Sequence, residues 1–513
     1  MRPAGVARSD EGAPGPGEAQ LLASGALAQQ IAQGSGLVAL LVIVTVLARR
    51  LSVAELGVYG LVVSLGGYLL VLRNTVASSA VRAMAAAPGA GERARMFSAA
   101  AVLYAAVGLA TGLMIALAAV VIAEFILAGS LARDARLGGL GLGLVTALGI
   151  VASIYLDALR AERLFVRAAS TEVAAVLLYL ATMLVLIFAG AGLAIVIAVS
   201  GALWLLSGAL SALVVRRRAL PFWFERDGVT RERTMAIVPT AGYLLLIELS
   251  NLVMYAFQRV VLGAFTSART IGLYEGPLRA HNLFYAVNGA LAVPVVPTAS
   301  RYAAADDTRR LRQLVLRGTR YTLALYVPLC VALMTLAEPI LDVWLGDRYR
   351  DGAAALTILV SYWLLYGGLV VTPGFLVGAG AARYVARIFL VAALLNLVLS
   401  LALTPVLGLE GPALATAVPF ALAFPLMLGV GLRAGGGVAL GELARRAWLP
   451  AYGLAVALAA ALVGLRLGAS PETLPAVLAA AGGGVLAYWI AFYWLVLEPG
   501  ERALVRALVL RRS

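Results

Sequence analysis

The sequence predicts an all-α polytopic membrane protein of about fourteen transmembrane helices. Three observations carry that fold class. Of the 513 residues, 62% are hydrophobic and only 13% charged, so the apolar segments are too long and too numerous to share one soluble core. Those segments recur in windows of about 20 residues, the length that crosses a bilayer as helix. Arginines crowd into alternate gaps between the windows, most densely over 216–233 and 301–320, which is the loop asymmetry that fixes orientation in a membrane.

Composition closes off several function classes. Every one of the 40 basic residues is arginine, which suggests GC-rich bacterial coding and carries no mechanism. The net charge of +14 would suit nucleic acid, but basic residues between spans are the signature of loops facing anionic membrane lipids, so no nucleic-acid partner is expected. One cysteine, Cys330, and one histidine, His281, allow neither an intrachain disulfide nor a structural zinc site, and leave no spare residues for a Cys/His catalytic pair. No metal, cofactor or catalytic residue is expected.

The elements follow in order. Residues 1–20, rich in Gly, Pro and charge, read as a disordered tail, retained because the first span is too long and too polar at its start for a cleaved signal peptide. A first lobe, 21–220, holds spans near 25–48, 57–72, 97–122, 137–156, 169–189 and 193–215. A second lobe, 221–433, holds spans near 237–257, 272–296, 321–341, 353–377, 384–407 and 411–432. Two additional helices near 448–467 and 474–497 occupy 434–498. The basic tail 499–513 has Arg502, Arg506, Arg511 and Arg512 at the spacing of a short amphipathic helix on the membrane surface, or else is simply solvated. The arginine asymmetry places both termini in the cytoplasm.

An internal repeat underlies the two lobes. Leu51-Ser52-Val53-Ala54-Glu55-Leu56-Gly57-Val58-Tyr59 is echoed by Phe265-Thr266-Ser267-Ala268-Arg269-Thr270-Ile271-Gly272-Leu273-Tyr274, with 215 residues from Gly57 to Gly272. Two weaker echoes keep nearly that offset: Ser79 to Arg82 against Thr298 to Arg301, and Gly190 to Gly192 against Leu407 to Leu409. Six spans per copy is an even number, so the copies are parallel and related by an axis along the membrane normal. No proline falls between Pro88 and Pro221, whereas the second lobe is rich in proline, so kinked helices are expected there. The glycine run Gly138 to Gly143 follows no strand and reads as close helix packing, not as a dinucleotide loop.

Four passages carry a family resemblance: Leu56-Gly57-Val58-Tyr59-Gly60; Arg259-Val260-Val261-Leu262-Gly263 leading to Gly272-Leu273-Tyr274; Glu338-Pro339-Ile340-Leu341 with Gly346 and Tyr349; and Pro405-Val406-Leu407-Gly408 with Gly411 to Thr416. From about Leu21 to Arg433 the chain resembles the polysaccharide flippases of the multidrug, oligosaccharidyl-lipid and polysaccharide exporter superfamily. The resemblance implies a flippase that moves undecaprenyl-diphosphate-linked oligosaccharide from the inner to the outer leaflet of the bacterial cytoplasmic membrane, by alternating access and without covalent chemistry. Polysaccharide polymerase machinery is an implied partner. Many relatives have Asp just before the arginine where this chain has Gln258, which puts ion coupling through that position in doubt.

Charged and polar residues inside spans are costly and mark candidate sites. For a pyrophosphate-bearing lipid, Arg279 and Arg259 can supply bidentate donors. Glu275, one turn from Arg279, can hold it when substrate is absent, or the two form a structural pair; Arg259 can instead snorkel to headgroups. Glu248 is a candidate for ion coupling with Glu275, or a hydrogen-bonded lobe residue. His281 is either a substrate or proton group or a packing residue. Gln29 and Gln33, with Gln30 and Ser35 nearby, give a polar stripe that lines a sugar-bearing cleft or joins helices. Arg73 and Asn74, expected to close the second span, either meet the entering pyrophosphate or set topology. Alternative functions are a multidrug or lipid II exporter of the same superfamily. A membrane glycosyltransferase or ligase is disfavoured because no large outward loop is available for catalytic groups.

Overall fold

The computed structural model describes residues 16–238, 257–292, 295–369, 371–378, 380–434, 437–469 and 471–510. Among them helix is the only regular structure. The predicted span at 237–257 lies almost wholly outside the described residues, and Glu248 with it.

The first lobe opens with α1 (Pro16–Arg50), so helix begins inside the stretch predicted as tail. A tight turn leads to α2 (Val53–Ala86), whose start is set by a capping box. The Ser52 backbone N–H donates to Glu55 Oε2 (2.7 Å) and the Glu55 N–H to Ser52 Oγ (3.2 Å), satisfying two N–H groups that no helical carbonyl can reach. Next come α3 (Gly89–Phe125), α4 (Gly129–Ala152) and α5 (Ile154–Ala161), the last two separated only by Ser153. The lobe closes with α6 (Phe165–Phe188), α7 (Leu193–Val199) and α8 (Ala202–Arg217), where α7 and α8 form one span bent by 42°. These breaks occur in the first lobe, at Ser153 and at Ser200-Gly201, within a stretch that has no proline, so kinks are not confined to the proline-rich half.

A short connection carries α9 (Arg231–Ile237). In the second lobe, residues 257–265 are helical and lead to α10 (Ala268–Ala292), α11 (Val295–Ala304), α12 (Thr308–Thr335) and α13 (Ala337–Leu345). The arginine-rich gap expected at 301–320 is therefore largely helical, with Asp307 Oδ1 capping α12 through the Arg310 N–H (2.9 Å). Between α12 and α13 the chain turns by 81°. Then follow α14 (Ala353–Tyr366), α15 (Val371–Gly378), α16 (Ala382–Leu407) and α17 (Glu410–Ala434). Finally α18 (Leu440–Ala469) and α19 (Leu474–Leu495) pack on this lobe through Leu458, Leu462, Val485 and Phe492. The tail is the helix α20 (Pro499–Leu510). Buried Glu501 ties it to α12, accepting from Tyr321 (2.8 Å) and pairing with Arg320 (3.2 Å).

Ten helices among the described residues are long and apolar enough to cross a membrane, or twelve when each bent pair is one span. Two of the fourteen predicted segments fall outside that number. One is the segment at 237–257; the other is α10, whose 25 residues carry Arg269, Glu275, Arg279 and His281. A second correction concerns α2, which does not end near Leu72. It runs on through Arg73 and Asn74 to Ala86, because the Arg73 charge is answered inside the lobe and the helix has no reason to stop there.

The repeat has a direct structural consequence. A methyl group on Gly57 would overlap the Ala268 carbonyl, and one on Gly272 would overlap the Val53 carbonyl. Residues 53 and 268, like 57 and 272, are 215 apart, so the contact between α2 and α10 is self-complementary: each copy's glycine meets the other copy's first turn. Such an interface is that of a two-fold axis, here running between two halves of one chain. The apolar core at this junction joins Leu47, Leu56 and Tyr59 with Ile271, Tyr274 and Tyr349.

Candidate substrate cleft

The packing of α2 changes along its length. From Leu56 to Val62 every residue is buried, and beyond that Gly67, Asn74 and Ser78 are exposed. With Gly57, Gly60 and Ser64 these residues fall at spacings of three, four and seven on one helix face. Gly67 has nothing within 4 Å of the place a Cβ would occupy. On α10 the pattern repeats: Ile271 to Leu278 are buried, and Asn282 and Tyr285 become accessible. The two helices thus meet at their first turns, and polar residues of both become accessible towards their far ends, where a substrate cleft is the candidate.

Buried charge sits at the closed apex. Glu275 lies over Gly60, where any side chain on α2 would displace it. Its carboxylate is held by the Arg259 guanidinium through Nε and Nη2, the latter at 3.2 Å, and by Arg279 Nη2 at 3.2 Å. Arg279 is 11% exposed and its Nε finds no hydrogen-bond acceptor among the described residues. Among the described residues the cluster brings together two buried guanidinium groups and one carboxylate. Tyr59 of α2 stands nearby, with Ser200 Oγ 3.3 Å from its hydroxyl. Arg259 is 2% exposed, so it does not snorkel to a headgroup region.

The amide at Gln258 fills a junction that needs both a donor and an acceptor. Tyr274 donates to Gln258 Oε1 (2.8 Å), while Nε2 donates to Thr416, which also accepts from Asn396 Nδ2 (3.2 Å). An ionised carboxylate could accept here but could not donate.

Arg73 is placed in a second buried cluster, within the first lobe. It pairs with Asp157, donates from Nε to Ser153 Oγ (3.1 Å), and lies 4.6 Å from the Trp204 ring centre. Asp157 also accepts from Tyr104 (2.7 Å) and from Arg160 (2.9 Å), and Arg160 continues to Glu172 (2.9 Å). Asn74 Oδ1, 3.3 Å from Arg73 Nη1, connects this cluster to the cleft face.

The remaining candidates are dispersed. His281 is buried among aromatic rings, its Nδ1 accepting from Trp363 Nε1 (3.1 Å) with the Tyr362 hydroxyl at 3.2 Å. Gln33 is exposed and Gln29 half-buried on α1. The sequence reading missed Asp157, Tyr104, Arg160 and Glu172. A signal existed, since Asp157 and Glu172 are isolated acids at the edges of apolar runs, where a buried basic partner is required.

Beside α10 lies an apolar cavity of about 530 Å³, lined by Leu283, Val287, Leu329, Ile340, Val485 and Trp489 among others. At the apex end, α13 grips the end of α1. Trp344 Nε1 donates to Thr45 Oγ1 (2.7 Å), Arg348 Nη2 to the Ala48 carbonyl (2.9 Å), and Arg49 Nη2 to the Val343 carbonyl (2.7 Å). The passage from Glu338 to Tyr349 is therefore a clasp across the two halves.

Comparison with known proteins agrees with this architecture. The fold is similar to that of a lipid II flippase, MurJ, in an inward closed conformation, with a TM-score of 0.67 at 15% identity over 91% of this chain and 98% of that one. It is also similar to an inward-facing multidrug resistance MATE family transporter of the MOP superfamily, with a TM-score of 0.60 at 15% identity over 80% and 94% of the two chains. Among curated proteins, the chain is 22% identical over 162 residues to the probable low-salt glycan biosynthesis flippase Agl15 of Haloferax volcanii, covering 32% of this chain and 34% of that protein. It is 25% identical over 198 residues to the probable flippase AglR of the same organism, covering 38% and 41%. The matches thus span less than half the length of either relative. The family model for polysaccharide biosynthesis proteins matches residues 46–354, from the end of α1 into α14, and on that match the chain belongs to the polysaccharide biosynthesis protein family.

Proposed function

We propose that this protein is a flippase for undecaprenyl-diphosphate-linked oligosaccharide in the bacterial cytoplasmic membrane, with both termini cytoplasmic. The observation that carries the reading is the crossing of the two repeats, with a buried arginine cluster at its apex and polar residues of α2 and α10 accessible towards the far ends. A pyrophosphate entering from the far ends reaches Arg279, which exchanges Glu275 for phosphate oxygens; guanidinium matches both partners in geometry. Asn74, Ser78, Gln29 and Gln33 offer hydrogen bonds to sugar hydroxyls. The polyprenyl chain stays in apolar surroundings, for which the cavity beside α10 is suited. Rocking of the repeats then transfers access from one leaflet to the other, and no bond is made or broken. Glu248 and Glu275 are the candidates through which an ion gradient would couple, and the polymerase machinery would take up the product.

The test is mass spectrometry of polyprenyl-linked glycans from a deletion strain, a complemented strain and one carrying Arg279→Ala. Accumulation of one completed lipid-linked oligosaccharide, reversed by the wild-type gene and not by the variant, is the expected result. An unchanged lipid pool in a strain without a redundant flippase would overturn the reading and favour a multidrug exporter.

A further inference from the structure

We propose that the first lobe carries a second anion site, outside the cleft, that takes the phosphate headgroup of an anionic phospholipid. The site is a recess of about 590 Å³ between the start of α6 and the end of α8, lined by Arg167, Val214, Arg217 and Arg218. It shares no residue with the α2 and α10 faces that form the cleft, and it does not depend on the flippase reading.

Charge is the first argument. Arg93, Arg160 and Arg233, in or against the same lobe, are each matched to a carboxylate, at 2.6, 2.9 and 2.9 Å respectively. Arg167, Arg217 and Arg218 are exposed and have no ion-pair partner among the described residues. The end of α8 adds carbonyls that favour cations in its last turn, which accounts for Arg217 locally. It does not account for Arg167, brought to the same recess from another helix. Three guanidinium groups converging without a counter-ion form a site for phosphate oxygens.

What lies beside the charges argues for a lipid over a free phosphate. Leu213 and Val214 sit one helical turn before Arg217 and Arg218, on the same faces of α8. Leu213 is 45% exposed. Apolar surface on the membrane side of a basic recess is the arrangement that receives an acyl chain below its headgroup. Exposed Trp223 and Phe224 follow α8 closely, as aromatic side chains do at a membrane–water boundary.

Native mass spectrometry of the purified full chain tests the proposal with four probes: phosphatidylglycerol, phosphatidylcholine, undecaprenyl phosphate and inorganic phosphate. Variants are Arg167→Gln/Arg217→Gln/Arg218→Gln and, as a charge-matched control on the second lobe, Arg383→Gln/Arg387→Gln/Arg433→Gln. Wild type and control should retain phosphatidylglycerol, with binding to the recess variant weaker by about tenfold or more and phosphatidylcholine retained poorly by all three. Unaltered melting of the recess variant shows that it is folded; if it melts early, the single Arg217→Gln change should still weaken phosphatidylglycerol binding at unchanged melting. Equal loss in the control, or full retention in the recess variant, overturns the site. Preference of the recess for undecaprenyl phosphate or inorganic phosphate overturns the phospholipid as its occupant.

Discussion

At the scale of single residues, each of the two buried charge clusters depends on its acid. Glu275 faces two guanidinium groups in a site with almost no solvent, so Glu275→Gln withdraws the carboxylate that both share. Removing one partner from such a site costs roughly 3–5 kcal/mol, and a clear fall in melting temperature in detergent is the expected outcome. Arg279→Ala removes a cation whose Nε is already unpaired among the described residues while Arg259 still answers Glu275; melting should change little, while glycan export is lost. If both variants melt alike and export alike, Arg279 is structural and not a substrate group. In the first lobe, Asp157→Asn should destabilise by a comparable ~3–5 kcal/mol, whereas Arg73→Met with Asp157→Leu should recover much of that, since an apolar pair of similar volume avoids the desolvation cost. The Glu275–Arg279 pair was legible in the sequence because four residues along a helix bring side chains together. The Arg73–Asp157 pair was not, because its partners are 84 residues apart and only the tertiary fold joins them.

At the scale of elements, the close crossing of α2 and α10 needs both glycines, and the two-fold relation predicts matched effects. Gly57→Val and Gly272→Val each place side-chain atoms on a carbonyl of the opposite helix, so each should part the apex and abolish export, with complementation of the deletion strain as the readout. A strong effect at one position and none at the other would contradict the two-fold contact. This repeat was visible in the sequence because a backbone-to-backbone crossing tolerates only glycine, and the same requirement appears once in each copy. Helix ends were harder to read. Hydropathy falls at Arg73, yet α2 continues because the charge is paired inside the lobe. The arginines over 301–320 lie mostly on helices, α11 and α12, since charge on a solvated face does not interrupt a helix.

At the scale of the whole molecule, one end is shut by the glycine crossing and by the clasp of α13 on α1, and towards the other Gly67, Asn74 and Ser78 are exposed. That asymmetry predicts where water reaches. In a Cys330→Ser background, a thiol at Gly67→Cys has open space around it and should react with a membrane-impermeant reagent added from the cytoplasmic side. A thiol at Leu56→Cys, fully buried about three turns towards the apex, should stay unreacted from either side while this state dominates. Because the clasp spans both halves, Trp344→Ala removes its hydrogen bond to Thr45 and should shift the population towards opening at the apex, raising Leu56→Cys labelling from outside and lowering Gly67→Cys labelling from inside. A reciprocal change of that kind is what alternating access demands. Labelling of Gly67→Cys from the outer side alone would reverse the orientation inferred from the arginines, and simultaneous labelling of both positions in the unaltered clasp would mean that the apex is no barrier.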